Sequence, residues 1–489
     1  MTSLLVLKPT TIAVGVVVIS LVARLLMVGR RPKNLPPGLQ QSPSSGTSTS
    51  CRKEILMLGT QTMIVLSTDR AVKDLLDKRS NKYSHRQEMY ICHEGYGARW
   101  RSARKQIHTL LNVSAAKSYV PYQLLENKQM LYEILTKPDD FLFHIRRYSN
   151  ALTTTMIYGW RTPRHDDKRM QEFFEEFAKF SELNQTGAAA TLDCFPILRL
   201  LPEFMSSTKR KAKHLQANVR ALYLGHWLTA KKASENSSLK PCFCDDLATV
   251  QKKEDISDAQ AAFIAGTLLE AGSDTTSSTL YAFVQAMLLY PDVQQKAFEE
   301  IDREVGPDRL PTMEDEFNLP YIRACIKEVI RWMPTTILGA VPHAVTEDDW
   351  YEGYLIPKNA GVMNNSLADA AANPDPTKRD QFTFGAGRRI CPGIHVAERS
   401  LFLGMSRMLW AFKIEPKLDA AGKPILPDPD RLTQGFVCLP EPFEATFTPR
   451  SAERTDRVRT DWAEAEAECL DPETKQWRVA QVASKVRKT

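Results

Sequence analysis

The chain has 489 residues and 55.3 kDa, with 43% hydrophobic and 25% charged residues, which excludes intrinsic disorder and leaves room for one large domain or two or three average ones. Lys and Arg number 64 against 58 Asp and Glu, and an excess of +6 over so large a surface excludes the dense basic stripe of a nucleic-acid binder. Nine scattered cysteines form no even framework of a secreted disulfide scaffold, so the body is expected in a reducing compartment.

Thr11 to Val28 is apolar apart from its hydroxyls and Arg24, long enough to cross most of a hydrocarbon core. Arg30, Arg31 and Lys33 follow at once, which keeps the C-terminal body on the cytosolic side. An uncleaved signal anchor is preferred to a removed signal peptide or a buried N-terminal helix, because no small-residue cleavage site follows. Pro36 and Pro37 then stiffen the exit, and the Ser/Thr-rich run Gln40 to Ser50 reads as a linker. Residues 1–33 are therefore expected as membrane anchor and basic flank, 34–54 as hinge and linker, 55–450 as the main body, and 451–489 as a charged tail.

Ile55 to Ser67 predicts a short hairpin, after which Thr68 starts a helix with Val72, Leu75 and Leu76 on one face. Helical periodicity follows at Trp100–Leu111, Leu124–Leu135, Phe143–Tyr158, Met170–Leu183, Lys209–Lys231, Ser257–Tyr290, Pro291–Val305 and Tyr321–Met333. Gly339 to Val362 alternates apolar and polar residues and suits a small sheet, and a last helix is predicted from Ile394 to Phe412. Ala463 to Glu468 begins a charged, alanine-rich stretch expected on the surface. The fold class is mainly α with small β-sheets, plus an N-terminal transmembrane helix.

Phe384 to Gly393 (FGAGRRICPG) is the most informative stretch. Its glycines let the backbone turn tightly and approach a flat partner. Cys391 precedes a helix whose N–H groups and dipole favour thiolate over thiol, as an axial metal ligand needs. Arg389, two residues away, is placed to pair with an anionic substituent of whatever the sulfur binds. With Phe384, Gly387, Arg389, Cys391 and Gly393 the pattern F-x-x-G-x-R-x-C-x-G is complete, and it resembles the haem-ligand signature of the cytochromes P450; His395 to Arg399 continue the resemblance to fungal members.

Three further constellations agree. Glu328 and Arg331, at i and i+3, are similar to the family's E-x-x-R, a structural pair. Ala271 to Thr276 (AGSDTT) resembles the family's central-helix motif, in which Thr275 and Asp274 would handle dioxygen and its proton supply. Trp100 and Arg104, at i and i+4, are similar to the family's contact with the haem propionates, while Arg101 and Lys105 are candidates to face a redox partner.

The resemblance implies a haem-thiolate enzyme carrying haem b (iron protoporphyrin IX) that inserts one oxygen atom from O2 into a lipophilic small molecule, in fungal secondary metabolism. No flavin or nicotinamide domain is visible, so electrons would come from NADPH-cytochrome P450 reductase, with the protein as a single-pass membrane protein of the endoplasmic reticulum. Substrate contacts are expected before Trp100, in Phe173–Phe204, Phe263–Leu268, Ile337–Val341 and Gly435–Val437. Two alternatives stand beside this: a non-catalytic or truncated relative with impaired haem binding, and a haem-thiolate isomerase or dehydratase.

The chain departs from the family pattern in three places. Only 18 residues, Ser366 to Thr383, separate Asn365 from Phe384, and no P-x-R-F element with its arginine is among them. Pro37–Leu56 and His93–Gly97 also look shortened. If Glu328 and Arg331 are buried without that third partner, the unpaired charge would cost about 3–5 kcal/mol.

Overall fold

The computed structural model describes residues 54–58, 61–90, 96–184, 189–236, 242–339, 341–364 and 382–478. The expected anchor at 1–33, nearly all of the linker, and the short interval at 365–381 lie outside these residues. Among the described residues no helix is long and apolar enough to cross a membrane.

The predicted hairpin forms from β1 (Glu54–Leu58) and β2 (Gln61–Leu66), paired from Glu54 opposite Val65 to Leu58 opposite Gln61. Thr68 caps the helical turn that follows, its Oγ1 accepting from the Ala71 N–H at 3.2 Å, and Val72, Leu75 and Leu76 are buried as expected. β3 (His85–Arg86) ends this N-terminal lobe.

The longer helices come next: α1 (Ala98–Leu111), α2 (Val120–Thr136), α3 (Phe141–Tyr158), α4 (Lys168–Leu183), α5 (Ser207–Glu235), α6 (Phe243–Gln251), α7 (Asp258–Leu289), α8 (Pro291–Glu304) and α9 (Pro320–Trp332). β4 (His343–Ala344), β5 (Asp349–Tyr351), β6 (Tyr354–Ile356) and β7 (Gly361–Asn364) fill the predicted sheet region. Helix α10 (Ile394–Ala411), β8 (Phe412–Glu415), β9 (Thr446–Pro449) and α11 (Ala452–Cys469) complete the order.

Strands far apart in sequence share one sheet, in the order β1-β2-β7-β4-β3, with β2 and β7 parallel. The hairpin and the later strands are thus one unit, which their separate apolar alternation did not reveal. β5 pairs with β6, and β8 with β9, as small antiparallel ribbons.

Helix α7 organises the body. It is apolar around most of its circumference, so it is buried from several sides: α3, α5 and α10 all pack against it. Its start is fixed locally, since the Ser257 hydroxyl accepts from the Gln260 N–H while the Gln260 side chain accepts from the Ser257 N–H. Pro291 and Pro320 occupy the first turns of α8 and α9, where a missing N–H costs nothing.

The stretch around Ala463–Glu468 corrects an expectation. It belongs to α11, which packs on α2 and buries Val458, Trp462 and Ala465. Charged residues dominate the composition there, but the apolar ones fall at i, i+4 and i+7, which makes one buried face. Beyond it Trp477 packs edge-on to Tyr122 at 4.6 Å, and Gln476 exchanges hydrogen bonds with the Arg161 backbone, so the described part of this segment closes onto the body.

Candidate active site

The loop before α10 holds its sulfur by backbone contacts. Gly385 and Gly387 both adopt left-handed conformations, with φ of 81° and 62°. At Gly387 the close approach is to the chain itself: a Cβ would lie 1.9 Å from the Leu76 carbonyl oxygen, while its N–H donates to the Asp77 carboxylate. The Cys391 N–H donates to the Phe384 carbonyl at 2.8 Å, which folds the loop back, and Phe384 packs against the main core. A Cβ on Gly393 would meet the Cys391 Sγ at 3.8 Å, an ordinary contact, so this glycine is held less strictly than Gly387.

The N–H groups of Gly393 and Ile394 point at Cys391, as the helix-start argument expected, and together with the Arg104 charge they pull the thiol pKa down. Burial is the larger effect and pushes it up. In the protein alone the thiol therefore stays protonated, and a metal ion's charge is what would convert it to thiolate.

Residues distant in sequence join the loop at one edge. The Arg389 guanidinium lies 4.3 Å over the Trp100 ring, with the Arg104 guanidinium 6.0 Å from the same ring. Arg104 also donates to the Ile390 carbonyl at 2.6 Å, and Arg389 to the Ser84 carbonyl at 2.9 Å. Two cations held against one indole beside the sulfur suit an anionic edge group. Lys105 is tied elsewhere, to Glu254 at 2.9 Å, whereas Arg101 is exposed.

On α7 the motif residues divide. Thr275 lines the cavity and its hydroxyl donates to the Ala271 carbonyl at 2.6 Å. Asp274 is buried away from the cavity lining, beside Arg146 of α3; burial raises its pKa to about 6, and Arg146 and Ser278 act against that rise. Gly272 lets α3 approach, since a Cβ would lie 2.7 Å from the Thr153 hydroxyl oxygen.

Glu328 and Arg331 form the expected pair, with two N–O contacts at 2.5 and 2.8 Å. Their side chains are 59% and 31% exposed, which corrects the expectation of a buried charge. Water solvates both partners, so the 3–5 kcal/mol penalty for an unpaired buried ion does not arise.

Cys391, Thr275, Trp100 and Arg389 open into one cavity of about 1780 Å³, larger than the 300–1,000 Å³ of a typical small-molecule site. Phe384, Gly385 and Ala397 floor it, and the Ala271–Thr276 stretch of α7 roofs it. A group with a large flat body, one open axial position for sulfur and an anionic edge fits these residues, as haem does. The remaining volume, walled by Phe177, Phe180, Phe263, Leu268, Phe436 and Val437, draws on most of the predicted substrate segments. In the 337–341 segment Gly339 lines it, while Ile337 faces solvent.

Sequence motifs did not mark Glu270 and Tyr223, which also line the cavity. Burial raises the Glu270 pKa to about 7, and the neighbouring Tyr223 phenol opposes the rise. The seven cysteines among the described residues are all free.

The cytochrome P450 family model matches residues 55–375 and 371–447. Cytochrome P450 monooxygenase virE of Hypocrea virens is 45% identical, over 93% of this chain and 92% of its own length. Cytochrome P450 monooxygenases fogE of Aspergillus ruber and fsoB of Humicola fuscoatra are 40% and 41% identical, over 96% and 94% of this chain and 97% and 95% of theirs. The alignment with virE runs to 511 positions, longer than the 489-residue chain, so that relative carries residues with no counterpart here. The two family matches meet at 371–375, inside the interval that looks shortened. With a glycine-turned cysteine loop, a threonine-bearing central helix and an indole–arginine edge around one cavity, the chain belongs to the cytochrome P450 family.

Proposed function

We propose that the protein is a haem-thiolate monooxygenase that oxidises a lipophilic small molecule of fungal secondary metabolism. The carrying observation is that Cys391, with the Gly393 and Ile394 N–H groups aimed at it, opens into the same cavity as Thr275. Haem, when bound, supplies the dioxygen chemistry. Cys391 would hold its iron, and Arg104, Arg389 and Trp100 would meet its anionic edge. Thr275 brings its side chain to the cavity wall, with its hydroxyl held on the Ala271 carbonyl, and the surrounding phenylalanines exclude water. The presence of Thr275 in the lining favours oxygen activation over isomerisation or dehydration, which need no such hydroxyl.

The same proposal places the protein in the endoplasmic reticulum membrane through residues 1–33, with its body cytosolic and its electrons taken from NADPH-cytochrome P450 reductase. The apolar run Thr11–Val28 with its basic flank supports the first point, and exposed Arg101 near the cysteine loop supports the second. The purified protein, reduced under carbon monoxide, should show the red-shifted Soret band of a thiolate-ligated haem, and Cys391→Ala should abolish it. A band that survives in the variant would refute the assignment.

A further inference from the structure

On the side of the cavity formed by α5 and α7, Tyr223 and Glu270 form a polar pair, with Thr153, Gln216 and Thr267 elsewhere in the lining. Tyr223 of α5 is 2% exposed, and its ring occupies the space that a side chain on Gly266 of α7 would need: a Cβ there would fall 2.3 Å from the ring carbons. Only glycine seats the ring so deeply against α7. Phe263 meets the ring edge-on at 5.8 Å and fixes its tilt. Glu270 lies one helical turn beyond Gly266, on the same face, so the phenol and the carboxyl reach the cavity side by side.

The Tyr223 hydroxyl is buried beside the Glu270 carboxyl, with which it interacts, yet it completes no well-aligned hydrogen bond with any group of the protein. Native interiors rarely leave a buried phenol unpaired, because the lost hydration is not recovered. Leu110, Leu111, Phe177 and Leu268 line the same space and offer no polar atom of their own side chains.

We propose that Tyr223 and Glu270 are the polar recognition point of the substrate site, where they take a neutral hydroxyl group on an otherwise apolar substrate. The substrate hydroxyl accepts from the Tyr223 phenol and donates to the Glu270 carboxyl. Burial keeps both groups protonated up to near neutral pH, which suits an uncharged partner better than an ammonium ion. Anchored at this end, an apolar molecule presents its far end toward Thr275, so the pair determines which carbon is oxidised. A site built to bond a hydroxyl also rejects the analogue lacking one, because its own polar groups are then left unpaired.

This inference rests on the monooxygenase reading, and the test separates the two. Haem-loaded full-length protein is titrated with 2-naphthol, naphthalene and 2-naphthylmethylamine, following the spin-state shift of the haem band and, independently, the heat of binding. Wild-type protein should bind 2-naphthol at least tenfold more tightly than naphthalene. Tyr223→Phe and Glu270→Leu should each bring that ratio close to one while naphthalene affinity changes less than threefold; Glu270→Gln, which can still accept a hydrogen bond, should keep most of the preference. A merely structural role would lower stability without moving the ratio. Equal wild-type affinity for naphthol and naphthalene overturns the proposal even if no variant folds, as does a ratio retained in both Tyr223→Phe and Glu270→Leu. Tightest binding of the amine, lost in Glu270→Leu, would overturn the neutral-hydroxyl assignment. Absence of the carbon monoxide band in wild type would instead refute the monooxygenase reading itself.

Discussion

The Cys391 wall of the cavity comes from one unbroken stretch, Phe384 to Gly393, whose shape is set by two left-handed glycines and a backbone hydrogen bond from Cys391 to Phe384. The opposite wall is assembled from helices distant in sequence: Tyr223 on α5, Glu270 and Thr275 on α7, with Phe177 and Phe180 of α4 alongside. A wall made of local backbone tolerates little change in its own residues, because each glycine answers to a fixed φ or a fixed neighbour. A wall made of side chains on separate helices accepts substitution and changes what it binds. The common chemistry sits on the first wall, and selectivity on the second.

Gly387→Ala should produce the largest loss. The new Cβ would meet the Leu76 carbonyl, a backbone atom that cannot rotate aside, and the left-handed φ adds its own penalty. We expect a destabilisation of at least about 2–3 kcal/mol, read as a lowered thermal midpoint together with a fall in haem occupancy. Gly393→Ala, which needs no left-handed backbone and makes only an ordinary 3.8 Å contact with the sulfur, should disturb stability far less. Equal losses in the two variants would show that the loop is not held by the Leu76 contact, and the contrast between the walls would collapse.

The roof helix should show itself through pH. Burial raises Glu270 to about 7 and Asp274 to about 6, above the ordinary carboxyl range. Groups with raised folded pKa values bind protons in the folded state that the unfolded chain has already released, so their stabilising contribution is complete below about pH 4 and is lost as pH rises to about 7. Glu270→Gln removes one of these titrations. Its stability relative to wild type should therefore increase between pH 5 and pH 8, by on the order of 1–3 kcal/mol, in thermal melts at matched ionic strength. A difference that stays flat with pH would show that Glu270 ionises in the folded protein as easily as in water.

What the sequence disclosed follows the same division. Cys391, Arg389 and their glycines lie within ten residues, so their joint meaning could be read without knowing the fold. Trp100 and Arg104, and the helix limits of α3, α7 and α9, were recoverable because helical spacing alone places their side chains. The Tyr223–Glu270 pair was not, since 46 intervening residues separate its members and only the missing side chain of Gly266 brings them together. The joining of β2 to β7 was hidden for the same reason, as parallel pairing between remote strands leaves no local signature. Asp274 carried the family's motif, yet which side of the helix it faces depends on α3 and Arg146. The burial of α11 was masked by its charge, which outnumbers the few apolar residues that seat it.

The smallest effect concerns the proximal ion pair, where sequence and structure part most clearly. Without its third partner, a buried Glu328–Arg331 pair would be a serious weakness; as an exposed i, i+3 pair on α9 it is worth only about 0.2–1 kcal/mol. Glu328→Gln should thus lower the thermal midpoint slightly and leave the haem spectrum unchanged, and the difference should shrink further in 1 M salt, which screens exposed charges within about 3 Å. Arg331→Met should behave alike, and the double variant should show a coupling no larger than that of other surface pairs. A loss of several kcal/mol, insensitive to salt, would mean that the pair is covered in the haem-loaded protein and that another group closes over it. The comparison would then shift: the proximal side would depend on contacts between distant segments as much as the roof does, and the shortened interval after Asn365 would become the first place to look for their origin.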